Sequence, residues 1–194
     1  MKLNSNVKIV GYNTILVPYR EHHVPKYHEW MKSEELQKLT ASQPLTLEQE
    51  YEMQESWRED DDKCTFIILN KSIYDGQSTE VESMIGDTNI FITNPESAIG
   101  EIEIMIAEES ARGKKMGWEA VILMLLFGIQ HVKINQFEAK ISMSNEISIN
   151  MFKKLDFQET SRSDVFEEVT LQKVVSEEWV KWLNEQIKFE LQTC

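Results

Sequence analysis

Hydrophobic and polar residues follow two rhythms along this chain, one of period two and one of period three to four. The first rhythm is typical of strands, and apolar residues three and four positions apart are typical of helices. Strand-like patterns are found at residues 14–19, 65–69, 84–92, 100–106, 137–141 and 165–174. Helix-like patterns are found at residues 22–32, 46–57, about 114–130, 145–155 and about 176–191.

Local signals refine these elements. Thr46 and Gln49 have the spacing of a capping box at the start of the second helix, and Ser176 is suited to cap the last helix. The polar residues 70–83 predict a flexible hairpin loop between two strands. With no repeat or linker in the sequence, we expect one α/β domain over residues 1–194, its helices interleaved with a mixed sheet. The last helix is expected to be amphipathic, with an apolar face formed by Trp179, Leu183, Ile187 and Leu191.

The composition restricts the function further. The chain has 194 residues, 41% of them hydrophobic, which suffices for the core of one globular domain. A net charge of -13 argues against binding to nucleic acids and anionic membranes, because both attract basic surfaces. The sequence has neither the apolar segment of a signal peptide nor a run long enough to span a bilayer. Cys64 and Cys194 offer no disulfide framework or zinc spacing, so we expect a cytoplasmic protein.

The most informative segment is a basic turn at residues 112–117, with the sequence Arg-Gly-Lys-Lys-Met-Gly. It follows the predicted strand 100–106 and leads into an apolar run that begins at Trp118. Free backbone N–H groups and the helix dipole make such a helix start a binding site for anions. Three cations within six residues of an acidic chain indicate a ligand that carries phosphate. The alternative is an ordinary helix start with surface lysines.

The order of strand, R-G-x-x-x-G turn and apolar helix resembles the acetyl-CoA-binding core of the GCN5-related N-acetyltransferase superfamily. The second motif of that family resembles the run that begins at Asn145, N-x-x-S-x-x-M-F-x-K-L-x-F. Segments such as DKCTFIIL and GEIEIMIAE are similar to the N-acetyltransferase 9 branch, described as alpha/beta-tubulin N-acetyltransferases. The resemblance implies an α/β (α+β) domain with a mixed, mostly antiparallel sheet flanked by helices. It also implies a cytosolic enzyme that moves acetyl from acetyl-CoA to a protein N-terminus, here the N-termini of tubulin.

The resemblance also implies how acetyl-CoA is held as the cosubstrate. The turn would hold the pyrophosphate, and the backbone of Met105 and Ile106 would bind the pantetheine arm. Asn145 would orient that arm, although a simple helix N-cap explains this residue equally well. Phe152 stands where many members have a tyrosine that protonates the leaving thiolate, so this chain lacks that acid. The implied cofactor-binding residues are Met105, Ile106, Arg112, Gly113, Lys114, Lys115, Met116, Gly117, Asn145, Ser148 and Phe152.

Lys115 departs from the family pattern, which has Gly or Ala at this position. A Cβ there costs on the order of 1–2 kcal/mol if the backbone requires a positive φ, and little if the residue already lies in the helix. The Lys115 side chain is also long enough for its ammonium group to reach a phosphate of CoA. The departure bears on the affinity for the cofactor and leaves the fold unaffected.

Two carboxylates share one face of the predicted strand 100–106. Period-two alternation places Glu101, Glu103 and Met105 on that face. Burying two carboxylates would be costly, so a water-accessible site explains them better than a core position, with a solvated strand face as the alternative. By resemblance to the histone acetyltransferases, Glu101 matches the general base, and Glu103 is the second candidate.

Other types of chemistry have weaker support. The four histidines do not form a helical pair with metal-ligand spacing and no cysteine accompanies them, so no metal is expected. Cys64 and Ser148 have no neighbours that would activate a nucleophile, which favours direct transfer in a ternary complex.

The acceptor must attack as a neutral amine. An α-amino group titrates near 8 and a lysine near 10.4, so neutralising a lysine costs about 3 kcal/mol more at pH 7. This favours a protein N-terminus weakly. Two alternatives stay open at this point: a catalytically weak or inactive acyl-CoA-binding scaffold, and an acetyltransferase for small amines such as polyamines.

Overall fold

A single sheet of nine strands forms the centre of the computed structural model, which describes residues 2–76 and 78–194. The strands are β1 (Val7–Val10), β2 (Thr14–Pro18), β3 (Lys63–Asn70), β4 (Met84–Asn94), β5 (Ile99–Ile106), β6 (Gln136–Ser142), β7 (Gln158–Ser163), β8 (Glu168–Val174) and β9 (Glu190–Thr193). The helices are α1 (Val24–Trp30), α2 (Glu34–Leu39), α3 (Leu47–Glu59), α4 (Lys71–Asp75), α5 (Glu80–Ser83), α6 (Met116–Phe127), α7 (Glu146–Lys154) and α8 (Glu177–Gln186). A π-helical turn, Gly128–Val132, continues α6.

The strands lie in the order β7-β8-β6-β5-β4-β3-β2-β1-β9. Every neighbouring pair within the described part of the chain is antiparallel except β5 and β6, which run parallel. The predicted fold class, a mixed and mostly antiparallel sheet flanked by helices, is confirmed.

Helices cover both faces of the sheet. On one face α6 contacts β2, β4 and β5, and residues 120–127 are at most 2% exposed, which explains why this helix is apolar all round. On the other face α1 and α3 pack together over a second core that includes Tyr27 and Trp30. The capping box predicted at Thr46 and Gln49 is present at the start of α3.

A buried carboxylate fixes the start of α6 to the turn between β1 and β2. Glu119 is 5% exposed, and its Oε1 accepts hydrogen bonds from the backbone N–H of Asn13 (2.9 Å) and of Thr14 (3.1 Å). The Thr14 hydroxyl also donates to Oε1 (3.1 Å), and the Asn13 side-chain amide donates to Oε2 (2.9 Å). Both oxygens are therefore satisfied inside the protein, and the first turn of α6 is held in place.

The prediction of a flexible loop at residues 70–83 is wrong, because this segment contains α4 and α5. Asn70 caps α4, and Thr79 with Glu82 forms a capping box on α5. These Asx and Thr caps are the signals that the loop prediction overlooked. Position 77 within the segment lies outside the described residues.

The last helix is shorter than predicted. It is capped by Ser176 as expected, but it ends at Gln186, and Ile187 is already extended. Leu191 lies instead in β9, whose residues pair with β1. Backbone pairing with the otherwise open edge of β1 explains why this segment is a strand despite its helical spacing.

The strand predicted at residues 165–174 begins only at Glu168, because Val165 and Phe166 lie exposed in the turn before it. β7 was not predicted, since its six residues are polar and mostly exposed. The helix expected over residues 114–130 begins at Met116, and its α-helical part ends at Phe127.

Candidate active site

A cleft opens where β5 and β6 separate. The two parallel strands pair only through Ile99 with Gln136, Gly100 with Phe137, and Glu101 with Glu138. β5 continues to Ile106 and no described strand pairs with this edge beyond Glu101. The cleft encloses about 440 Å³. Its β5 edge therefore offers free backbone groups to an extended ligand.

The cleft brings together several residues that the sequence analysis selected. Its wall contains side chains from β5 and β6, from α7, and from the segment that follows α2. Those predicted for the site are Glu101, Glu103, Met105, Asn145, Ser148 and Phe152. The turn at residues 112–117 is outside the cleft wall and follows the end of β5 along the chain.

The basic turn has the backbone of an anion-binding loop. Gly113 has a φ of +71°, and Lys115, the N-cap of α6, has a φ of 62°. No backbone carbonyl of the described residues accepts a hydrogen bond from the N–H groups of residues 113–118. Lys115 therefore lies in the left-handed region, where a Cβ costs on the order of 1–2 kcal/mol.

The three cations of the turn play different parts. The Arg112 guanidinium donates to the carbonyl oxygen of Ile106 (3.0 Å) and to that of Ala107 (3.5 Å), and it pairs with Glu35 (3.0 Å). Arg112 therefore ties the turn to the end of β5. Lys114 and Lys115 are exposed, and no described residue forms an ion pair with either of them.

The remaining two residues of the turn begin α6 and fix its position against β5. Met116 is 9% exposed and belongs to the main core. A Cβ on Gly117 would come within 3.3 Å of the side chain of Ile106. The absence of a side chain at Gly117 thus lets the first turn of the helix lie close to the end of the strand.

At the other wall of the cleft, Asn145 acts as the N-cap of α7. Its Oδ1 accepts a hydrogen bond from the backbone N–H of Ser148 (3.1 Å), which is the capping role considered for it. No described residue accepts a hydrogen bond from its side-chain NH₂ group, which leaves that group available to a ligand. Phe152 is 2% exposed and packs edge-on against Phe157, with 5.0 Å between the ring centres.

The two carboxylates of β5 differ in environment. Glu101 pairs with Lys140 at 2.6 Å, and its side chain is 12% exposed. Burial raises the pKa of Glu101, while the hydrogen bond from Lys140 opposes that rise. Glu103 is exposed beside the cleft. Ile102 and Ile104 point to the opposite face, into the core with α6, as the alternation predicted.

Asp87 and Asn89 of β4 also line the cleft, and the sequence analysis missed them. They are 4% and 3% exposed, and the Oδ1 atom of each has no hydrogen-bond partner among the described residues. Burial raises the pKa of Asp87 to about 7, with a further contribution from Glu103. Polar residues at alternate positions of an apolar strand are the same signal that identified Glu101 and Glu103, and it was present here too.

Two histidines come together with a carboxylate at a distance from the cleft. The Nε2 atoms of His22 and His23 both lie 3.1 Å from Oε2 of Glu80. However, Nδ1 of His23 accepts the backbone N–H of Arg20 (3.1 Å), so the neutral ring carries its proton on Nε2 and donates it to Glu80. A metal-bound histidine needs the opposite arrangement, with the free ring nitrogen donating. This trio therefore favours a hydrogen-bonded cluster over a set of metal ligands.

No described helix is long and apolar enough to span a membrane. Both cysteines are free thiols, Cys64 buried and Cys194 exposed.

The comparison with protein families gives one match that covers most of the chain. The model for the acetyltransferase (GNAT) domain matches residues 13–158. The turn, β5, α6 and the two residues of β4 all lie within this range.

Similar proteins extend the match to nearly the whole chain. The human protein named Alpha/beta-tubulin-N-acetyltransferase 9 is 55% identical over 190 residues, which are 96% of this chain and 92% of that protein. The Drosophila melanogaster protein of the same name is 50% identical over 197 residues, covering 99% of this chain and 98% of that one. Among solved structures, the ribosomal L7/L12 alpha-N-protein acetyltransferase RimL in complex with coenzyme A has a TM-score of 0.69. It is 13% identical, covers 84% of this chain and 94% of its own, and shows the shared fold.

Proposed function

Because this chain belongs to the GNAT acetyltransferase family, and is an acetyltransferase, we propose that it transfers acetyl from acetyl-CoA to the N-terminal amino group of a protein. One observation carries the proposal. The free edge of β5 connects the carboxylates of the cleft to the basic turn, so one strand joins a site for an amine to a site for phosphates.

The residues present fit acetyl-CoA, which supplies an acetyl group activated as a thioester. The N–H groups of the turn and the ammonium groups of Lys114 and Lys115 are suited to hold the pyrophosphate. The end of β5 at Met105 and Ile106 is proposed to hydrogen-bond the pantetheine arm through backbone groups other than the Ile106 carbonyl oxygen, which already accepts from Arg112. Phe152 and the free amide NH₂ of Asn145 would contact the same arm from α7.

The acceptor is proposed to be an α-amine on chemical grounds. The cleft is lined by carboxylates that attract an ammonium group, and an α-ammonium loses its proton about 3 kcal/mol more easily than a lysine at pH 7. Glu101 and Glu103, the two bases expected from the sequence, both line this cleft and are candidates for accepting that proton. No tyrosine stands at Phe152 to protonate the leaving thiolate, and a thiolate leaves tolerably without one.

Tubulin is the proposed acceptor protein. The support is the printed name of the human and fly relatives, at 55% and 50% identity over nearly the full chain. Tubulin as the acceptor would place the reaction in the cytoplasm.

A panel of acceptors tests the proposal. The protein is incubated with acetyl-CoA and one of three amines: a peptide with a free N-terminus copied from tubulin, the same peptide with an acetylated N-terminus and one internal lysine, or spermidine. Buffer without an acceptor is the control. Thiol release and mass spectrometry measure transfer. We expect transfer to the free N-terminus at least tenfold faster than to the lysine or to spermidine. Faster transfer to spermidine would identify a small-amine enzyme instead.

A further inference from the structure

Buried oxygen atoms without partners cluster on the face of the sheet covered by α1 and α3. Six buried side-chain atoms have no hydrogen-bond partner among the residues the structure describes. Five of them are oxygens and one is a histidine nitrogen: Tyr19 Oη, Glu50 Oε2, Thr65 Oγ1, Asp87 Oδ1, Asn89 Oδ1 and His28 Nδ1. Buried polar atoms are nearly always paired in native proteins, so such a group of exceptions requires an explanation.

Two of these atoms reach the cleft. Asp87 pairs across the sheet with Met105, and Asn89 pairs with Glu103, so both side chains lie on the same face as Glu103. Asp87 and Asn89 line the cleft together with Tyr27. Their unpaired oxygens therefore lie next to the stretch of β5 that is proposed to hold the pantetheine arm of the cosubstrate.

The chemistry of these atoms specifies what would satisfy them. A carboxylate oxygen and an amide oxygen can only accept hydrogen bonds, so the missing partner is a donor. A buried carboxylate without a counter-charge is unfavourable, so a cationic donor fits best. The nearby cation on β3, Lys63, lowers the pKa of Asp87 through space, but no ion pair joins the two among the described residues, and the Lys63 Nζ lies 3.8 Å from the centre of the Trp57 ring.

We infer that Asp87 and Asn89, with Glu103 beside them, form the binding site for the acceptor's α-ammonium group, and that Asp87 is the group that removes its proton. This inference rests on the proposed function and assigns the base to a residue of β4, in preference to Glu101. Glu101 already has a counter-charge in Lys140, whereas the Oδ1 atom of Asp87 has no partner.

The reaction balances with these groups. Asp87 takes one of the three protons of the ammonium, which leaves a neutral amine. The amine nitrogen then forms a bond to the thioester carbonyl carbon, the carbon–sulfur bond breaks, and its electron pair leaves on sulfur. The amide nitrogen keeps one proton and loses the other, which ends on the thiolate. The proton on Asp87 passes to water, so each turnover yields the amide, CoA thiol and one released proton.

The electrostatics of Asp87 suit this role. Burial first, and then the charge of Glu103, raise the pKa of Asp87 to about 7, close to that of an α-ammonium group. Lys63 and the Asn89 amide act in the opposite direction. The titratable and charged groups that act on Asp87 or are acted on by it are Glu103 on β5, Lys63 on β3, Tyr27 on α1 and Tyr19 after β2. Glu50 on α3 acts on the same two tyrosines.

The test compares Asp87→Asn with Asp61→Asn, an exposed control in the turn before β3. Two peptides that differ only in a free or an acetylated N-terminus are titrated against each protein in the presence of CoA. The ratio of their two Kd values measures how much the free ammonium group contributes to binding. This measurement does not depend on catalysis. We expect a ratio of at least tenfold in the wild type and the control, and a ratio near one in Asp87→Asn. Asn89→Ala should lower the ratio by a smaller factor.

Kinetics supply the second readout. Asp87→Asn should lower kcat/KM at pH 7 by roughly 10²–10⁴, and the defect should shrink toward pH 9, where the amine is neutral without help. The affinity for acetyl-CoA should stay within about twofold. Because the folded pKa of Asp87 is raised, its contribution to stability is lost as pH rises toward about 7, so Asp87→Asn should melt no lower than the wild type at pH 8.

Several results would overturn the inference. An unchanged Kd ratio in Asp87→Asn would show that the ammonium binds elsewhere. A turnover at pH 7 within twofold of the wild type would show that another group takes the proton, and a larger loss in Glu101→Gln would identify that group. If the wild type acetylates no N-terminal peptide, the proposed function fails. The ratio of the Kd values for spermidine and for fully acetylated spermidine then still decides whether Asp87 binds an ammonium group.

Discussion

Replacing Lys115 with glycine should stabilise the protein and weaken its binding of CoA at the same time. Lys115 has a φ of 62° at the start of α6, and a left-handed residue with a Cβ costs on the order of 1–2 kcal/mol. Glycine removes that cost and adds about 0.5–1 kcal/mol of backbone entropy to the unfolded state. The middle values of these two ranges leave a net gain of about 0.75 kcal/mol, or roughly 1.5–3 °C in Tm for a domain of this size.

The loss of the Lys115 ammonium should lower the affinity of the protein for CoA. An exposed cation next to a phosphate contributes up to about 1 kcal/mol at low salt, so Lys115→Gly should weaken CoA binding by about two- to fivefold. The difference should disappear at 1 M salt, where the screening length falls to about 3 Å. Thermal unfolding without ligand and calorimetric titration with CoA at two salt concentrations measure the two effects separately.

Lys133→Gly is the matched control. Lys133 is also exposed and has a φ of 68°, but it lies at the end of the π-helical turn, away from the basic turn. It should show no change in CoA affinity and a smaller gain in Tm than Lys115→Gly, because the Lys133 Nζ donates a hydrogen bond to the Gln130 carbonyl that glycine would lose. A fall in Tm for Lys115→Gly would refute the strain argument. Tighter CoA binding by this variant would refute the phosphate contact and show that the Lys115 side chain obstructs the site.

Three further predictions follow from contacts in the structure. Lys114→Ala should weaken CoA binding severalfold without changing Tm. Arg112→Ala should lower Tm by several degrees, because the Arg112 guanidinium donates hydrogen bonds to two backbone carbonyls. Equal effects of both changes on Tm would contradict the separate roles of the two residues. Glu119→Gln should cost about 2–3 kcal/mol in urea unfolding, since it replaces a buried carboxylate that accepts four hydrogen bonds, and a loss below about 0.5 kcal/mol would be incompatible with that network. A thiol reagent should label Cys194 alone in the native protein and both cysteines in urea, because burial raises the pKa of Cys64 to about 12; rapid native labelling of Cys64 would contradict its burial.

The sequence predicts the fold best where its signals are local. β5, the basic turn and α6 follow one another within 30 residues, and each has its own pattern: alternation, glycine with cations, and an apolar run. β7 and β9 have no such pattern, because they are exposed and are stabilised by backbone pairing with β8 and β1. Pairing with a distant strand leaves no mark in the spacing of apolar residues.

The residues of the candidate site also divide into those with a local sequence signal and those that only the fold brings together. Glu101, Glu103 and Asn145 were selected from motifs, and the structure places them in one cleft. Asp87 and Asn89 were missed because residues 84–92 were interpreted only as a strand. That their oxygens are buried and unpaired is a property of the whole fold, which sequence spacing does not contain.

The short contact between β5 and β6 divides the sheet into two mechanical halves. Six strands lie on one side of this contact and three on the other. Among the described residues, β5 and β6 pair through three residue pairs, and the Ala98 carbonyl just before β5 accepts from the backbone N–H groups of Asn135 and Gln136. A cosubstrate laid along the free edge of β5 would take the place of the missing ladder and brace the halves against each other. Binding of the cosubstrate would then make the whole sheet more rigid. The enzyme would be most deformable after it releases CoA and before it binds the next acetyl-CoA.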